Sequence, residues 1–121
     1  MLYALLCCHD ETVVSSWTKQ EDDAVLAKRA KVTDKLAAQG KLGPAIRLMP
    51  TTTATTLRMG RDPLVLDGPF AETKEALLGF YIVDCDSLEE AIETAKQIGR
   101  DEKVTFEIRP VRLFLPNGKA S

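Results

Sequence analysis

Histidine, cysteine and long apolar runs are the scarcest features of this 121-residue chain, which has one histidine and three cysteines. Cys7, Cys8 and Cys85 are odd in number and two are adjacent, so no disulfide framework is expected and a reducing, cytoplasmic setting fits. His9 follows Cys7 and Cys8, but no CxxC, HxxxH or second histidine completes a tetrahedral ligand set, and no bound metal is expected. No apolar stretch approaches the roughly 18 residues of a membrane span, and Met1 to Leu6 lack the basic start and cleavage site of a leader. A formal net charge of -2 gives no broad attraction to nucleic acid or to anionic membrane. The chain also lacks a Gly-rich phosphate loop, a GxSxG elbow, an HExxH helix and a dinucleotide fingerprint, so none of the usual cofactors is expected.

What the chain does have suits one soluble domain spanning residues 1–121, with 45% apolar and 28% charged residues and no internal repeat or linker. Leu2 to Cys8 reads as a central strand, being apolar on both sides. Thr18-Lys19-Gln20-Glu21 has capping-box spacing and opens a helix to about Ala38, which Gly40 ends. Leu42 to Met49 and Thr52 to Met59 are strand candidates parted at Pro50. The turn Met59 to Pro63 leads to a short strand, Leu64 to Leu66, which implies a hairpin. Gly79 to Cys85 is a further strand, and Ser87-Leu88-Glu89-Glu90 caps a helix whose apolar positions recur until Gly99. Val104, Phe106 and Ile108 alternate as a last strand. Val111, Leu113 and Leu115 continue in the opposite phase, which calls for a bulge near Arg109-Pro110. The order gives an α+β fold, a ferredoxin-like βαββαβ arrangement with an inserted hairpin and both helices on one face of an antiparallel sheet.

Chemistry concentrates in Asp67-Gly68-Pro69-Phe70-Ala71-Glu72-Thr73-Lys74-Glu75, where a Gly-Pro turn and four ionisable groups separate two apolar runs. Asp67 has two compatible readings: an Asx-type turn stabiliser, or a carboxylate facing a cleft. Glu72 and Lys74 are two apart on a non-helical segment and can converge on a polar ligand, leaving Glu75 to face away. Arg47 and Arg58, on apolar or threonine-rich strands, are the cationic partners available to Asp67 or to an anionic ligand. Arg29 falls inside the apolar stripe of the first helix, where its guanidinium either snorkels to water or needs an acidic or ligand partner.

The same segment, with Gly79-Phe80-Tyr81 and Glu107-Ile108-Arg109-Pro110-Val111, closely resembles the DGPF branch of the YCII-related proteins. Thr52 to Arg58, Ser87 to Ala91 and the opening strand extend the likeness to nearly the whole chain. The resemblance implies a dimeric α+β barrel with a cleft between sheet and helices in each subunit. It also implies a link to extracytoplasmic-function sigma factors. In shorter relatives a first-helix histidine and a cleft aspartate suggest an enzyme. Counting back from Gly40-Lys41-Leu42 puts that histidine position on Arg29, which stays protonated and cannot serve as a base at neutral pH. His9 lies where the family does not place its histidine and is held as a reserve base.

The leading expectation is a homodimeric ligand-binding or accessory protein whose cleft is built around Asp67 and one or more of Arg29, Arg47 and Arg58. The rival is a cofactor-independent enzyme on a small polar molecule, with Asp67 as acid or base and Arg29 or Arg58 steadying negative charge. A third reading is a protein-interaction module tied to a sigma factor. The dimer interface is expected on the sheet face opposite the helices, through Leu5, Ile82, Phe106 and their neighbours.

Overall fold

The computed structural model describes residues 1–117. Six strands and three helices run in the order β1 (Leu2–His9), α1 (Glu11–Ser15), α2 (Lys19–Ala38), β2 (Leu42–Arg47), β3 (Thr55–Arg58), β4 (Leu64–Asp67), β5 (Ala76–Asp84), α3 (Leu88–Ile98) and β6 (Thr105–Pro110). The main sheet has the order β2-β5-β1-β6 with every pair antiparallel, and β3 and β4 form a separate two-stranded sheet. This is the ferredoxin-like α+β arrangement with an inserted hairpin.

Alternation along β1 decides which side chains meet the helices. Tyr3, Leu5, Cys7 and His9 are buried, while Leu2, Ala4, Leu6 and Cys8 on the other face are half-buried. Leu5 lies opposite Tyr81 of β5 and Ile108 of β6, at the middle of the core. Leu5, Val83 and Ile98 are fully buried there, and burying each such side chain contributes about 1.5–3 kcal/mol before entropy is counted. The small residues Ala91 and Ala95 bring α3 close to the sheet. Of the longer α2 only Leu36 is buried, with Val32 packed against the core. Its reciprocal capping box at Thr18 and Glu21 fixes where it starts.

Three details depart from the sequence-based expectations. Leu5 and Phe106 face the helices, because the register pairs Leu5 with Tyr81 and Cys7 with Phe106; of the proposed interface residues, Ile82 alone lies on the open face, beside Ala4. The Thr51–Thr53 segment is a 3-10 turn, so the strand begins only at Thr55. Strand β6 ends at Pro110, which lacks the N–H to continue the ladder, and Val111–Leu115 is not a strand. The irregularities sit elsewhere, between Cys7 and Cys8 in the pairing with β5 and between Leu42 and Ala45 in β2.

Those two positions shape the ground beside α2. Cys7 pairs with Gly79 but Cys8 pairs with Leu77, so Leu78 is the extra residue of a bulge in β5. Gly79 is required where it stands, since a Cβ there would lie 2.3 Å from the Ile46 carbonyl oxygen of β2. The close approach draws the edge strand in and sets Arg47 opposite Gly79.

Candidate functional site

A cleft of about 230 Å³ opens between α2 and the end of the sheet where the bulge lies. Val25 and Leu26 of α2, with Val14 and Trp17 from the segment before it, make one wall; Ala45 and Leu78 make the other. Cys7, His9, Gly79 and Tyr81 form the floor, and Asp22, Arg29 and Arg47 complete the lining. An apolar body with a few polar groups is the usual make-up of a small-molecule site.

Arg29 finds its acidic partner in Glu102. Its Nε lies 3.0 Å from Oε2 and its Nη2 lies 2.5 Å from Oε1, a bidentate fork, with side chains 14% and 6% exposed. Lys28 joins the same carboxylate, with Nζ 2.6 Å from Oε2. Glu102 is aimed by a tight turn after α3, in which its N–H donates to the Gly99 carbonyl and Asp101 takes the left-handed φ of 64°. Burial opposes the charge on Arg29, but the hydrogen bonds to the Glu102 carboxylate and the Tyr81 hydroxyl outweigh it, and the guanidinium stays protonated. Burial likewise opposes the charge on Glu102, but the hydrogen bonds from Arg29 and Lys28 prevail and hold its carboxyl below the ordinary range. The remaining nitrogen, Nη1, lies 3.3 Å from the Tyr81 hydroxyl and 3.7 Å from Cys7 Sγ. Burial pushes the Cys7 thiol up, and Arg29 only partly offsets it, so Cys7 is a neutral thiol at neutral pH rather than a ready nucleophile.

At the mouth, Arg47 forms a second fork with Asp22, at 2.8 and 3.1 Å, joining β2 to α2. The hydrogen bond from Arg47 holds the Asp22 carboxyl below its usual value, and the pair is partly exposed. His9 is buried, its Nδ1 lies 3.2 Å from the Asp10 carbonyl, and its ring meets Trp17 edge-on at 5.7 Å between centroids. Asp10 caps α1 through Thr12 N–H, and its carbonyl accepts from Val13 and Val14, so the loop holding the imidazole is fixed at both ends.

Asp67 stands elsewhere. It is exposed at the end of β4 opposite Thr55, does not line the cleft, and makes no ion pair with an arginine among the described residues. The hairpin that carries it is its own sheet, so the end of β4 does not point where the ends of β1 and β5 do. The turn is built by the backbone of Gly68, which has φ 92°, donates its N–H to Ala54 and accepts from the Thr56 hydroxyl, and no Asx-type hydrogen bond from the Asp67 side chain is seen among the described residues. Arg58, opposite Leu64, is exposed on the same hairpin. Glu72 and Lys74 do share a hollow, an open one of about 520 Å³ that Asp10, Glu11 and the Thr51–Thr52 segment also line. Glu75 turns away to accept a hydrogen bond from Thr105 at 2.9 Å.

Of the seven named residues the structure thus brings Arg29, Arg47 and His9 together, sets Glu72 and Lys74 in a second hollow, and leaves Asp67 and Arg58 on the hairpin. Glu102, Asp22, Tyr81 and Trp17 were not singled out from sequence. The cation in the α2 stripe left water, an acid or a ligand as its partner, and the structure supplies the acid Glu102.

The chain matches the YCII-related domain over residues 1–115. It is 50% identical over 119 residues to an uncharacterized protein of Rhizobium meliloti (strain 1021), covering 96% of each chain.

Proposed function

The chain belongs to the YCII-related family, and on that premise we propose that it binds a small polar organic molecule in the cleft between α2 and the sheet, working as a homodimeric ligand-binding or accessory protein. The observation that carries this reading is the lining. Apolar walls enclose a space at whose polar side Arg29 Nη1, the Tyr81 hydroxyl and Arg47 are all hydrogen-bond donors. A volume of about 230 Å³ lies below the ~300–1,000 Å³ of pockets for drug-sized ligands, which favours a metabolite-sized guest. Donors of this kind favour an anionic or carbonyl-bearing guest, and the Arg47–Asp22 fork is placed to exchange its carboxylate for one from solution.

Trp17 is the sole tryptophan and lines the cleft, so its emission reports on occupancy. Native mass spectrometry of the purified protein should find a small adduct, and titration with organic acids should change Trp17 fluorescence saturably. Arg47→Ala, at a partly exposed site, should weaken that response about tenfold without unfolding the chain. A bare mass together with unresponsive Trp17 across the acids would reject the reading. A second reading, a protein-interaction module for a sigma factor, is favoured by one feature: Leu57, Met59, Val65 and Phe70 are exposed on the hairpin and the loop after it. Unchanged partner capture after Leu57→Ser and Val65→Ser would remove it.

A further inference from the structure

His9 offers the cleft a proton acceptor that no protein group uses. His9 is 5% exposed, and the Asp10 carbonyl, which can only accept, takes the Nδ1–H at 3.2 Å. In the neutral ring the lone pair therefore lies on Nε2. Nε2 has no hydrogen-bond partner among the described residues, yet no buried, shut-off side-chain nitrogen or oxygen among them lacks one. It therefore opens onto the cleft that His9 lines. Around it the Tyr81 hydroxyl and Arg47 can donate, while the one carboxylate of the lining, Asp22, is held by Arg47.

We propose that the cleft catalyses proton transfer on a small 2-oxo acid, with His9 Nε2 as the base. This rests on the ligand-binding reading and gives it a substrate class. His9 takes the proton from the carbon next to the carbonyl, and the C–H electron pair becomes the enolate double bond. The carbonyl pair moves onto oxygen, where the Tyr81 hydroxyl, itself accepting from Arg29 Nη1, donates to it. The imidazolium returns the proton to carbon, so atoms and electrons balance with no oxidant, reductant or cofactor. Arg47, released from Asp22, pairs with the substrate carboxylate. Tyr81 lies opposite Leu5, and Cys7 and His9 follow Leu5 on the same face of β1, so hydroxyl and imidazole line one floor.

The test uses 2-oxobutanoate and the intact protein in D2O. Proton NMR follows loss of the C3 proton signal, and Trp17 fluorescence follows binding separately. Wild type should speed exchange at least 100-fold over buffer, within the range a positioned base supplies. His9→Asn keeps a donor for the Asp10 carbonyl but removes Nε2; it should still bind while exchange falls about 100-fold. Tyr81→Phe keeps the ring and removes one donor; exchange should fall about tenfold or more, beyond any loss of affinity, which keeps the proposal testable if His9→Asn does not fold. Binding without exchange would overturn the proton transfer and leave the ligand-binding reading standing. Exchange untouched in both variants would overturn the assignment of His9 and Tyr81. If 2-oxobutanoate neither binds nor exchanges, the substrate class and the proposal fall together, whereas the binding reading is judged by the native mass measurement.

Discussion

Arg29 shows how a residue can break a local pattern and still be explained by the fold. A guanidinium in the apolar stripe of α2 is unfavourable unless paired, and the bidentate Glu102 supplies the partner. Removing the acid should therefore cost more than its own hydrogen bonds. Glu102→Gln leaves Arg29 buried with its charge uncompensated, and urea unfolding at neutral pH should show a loss of about 3–5 kcal/mol. A loss under 1 kcal/mol would mean that the pair is hydrated rather than buried. The pH dependence has a definite sign. A carboxyl whose folded pKa is depressed stabilises the fold above its unfolded value of about 4.3, and that contribution disappears as pH falls through the folded pKa. Wild type should lose stability on acidification below about pH 4.3, and Glu102→Gln should lose less over the same window. Asp67→Asn is the opposite case. An exposed carboxylate on a turn should be replaceable within about 0.5 kcal/mol and without effect on ligand binding. The same titration that reports on Trp17 checks this, and abolished binding would return Asp67 to the site.

At the scale of elements, local signals carried a long way. Both long helices begin at the capping boxes or caps readable as Thr18-x-x-Glu21 and Ser87-x-x-Glu90, and the apolar opening run is the central strand. The register was not readable, because a two-residue period says which residues share a face but not which face meets the helices. Leu5 and Phe106 were placed on the wrong side for that reason. The bulge at Leu78 was equally hidden, since Leu77-Leu78-Gly79 is an ordinary apolar stretch until β2 is known to cross it. Gly79→Ala tests that crossing. A Cβ only 2.3 Å from the Ile46 carbonyl oxygen must push β2 away, and the variant should lose about 3 kcal/mol or more and widen the cleft. Wild-type stability by denaturant melting would show that β2 does not hold Gly79 this closely. The cleft itself was legible only in part. Arg29 and Arg47 were visible as cations on apolar elements and His9 only as a reserve base, whereas Glu102 lies 73 residues from Arg29 and Asp22 lies 25 from Arg47, with no local sign of either pairing.

For the whole molecule, the open face of the sheet and the hairpin remain to be accounted for. Leu2, Ala4 and Leu6 are only half-buried, Ile46 and Leu77 are exposed, and Leu57, Val65 and Phe70 stand out on the hairpin and the loop after it. An isolated two-stranded hairpin is marginal in water, so a second copy that covers this surface would stabilise both. Light scattering at micromolar concentration should give twice the single-chain mass of 13.3 kDa, and a monodisperse monomer would contradict the dimer. The α2 cleft as the seat of the small molecule is tested by residue-resolved NMR. Titrating 15N-labelled protein with the acid that perturbs Trp17 most should shift the amides of Cys7, His9, Arg47 and Gly79, which surround the cleft, and leave Asp67 to Lys74 in place. Shifts confined to Asp67–Lys74, with the cleft amides unmoved, would contradict it.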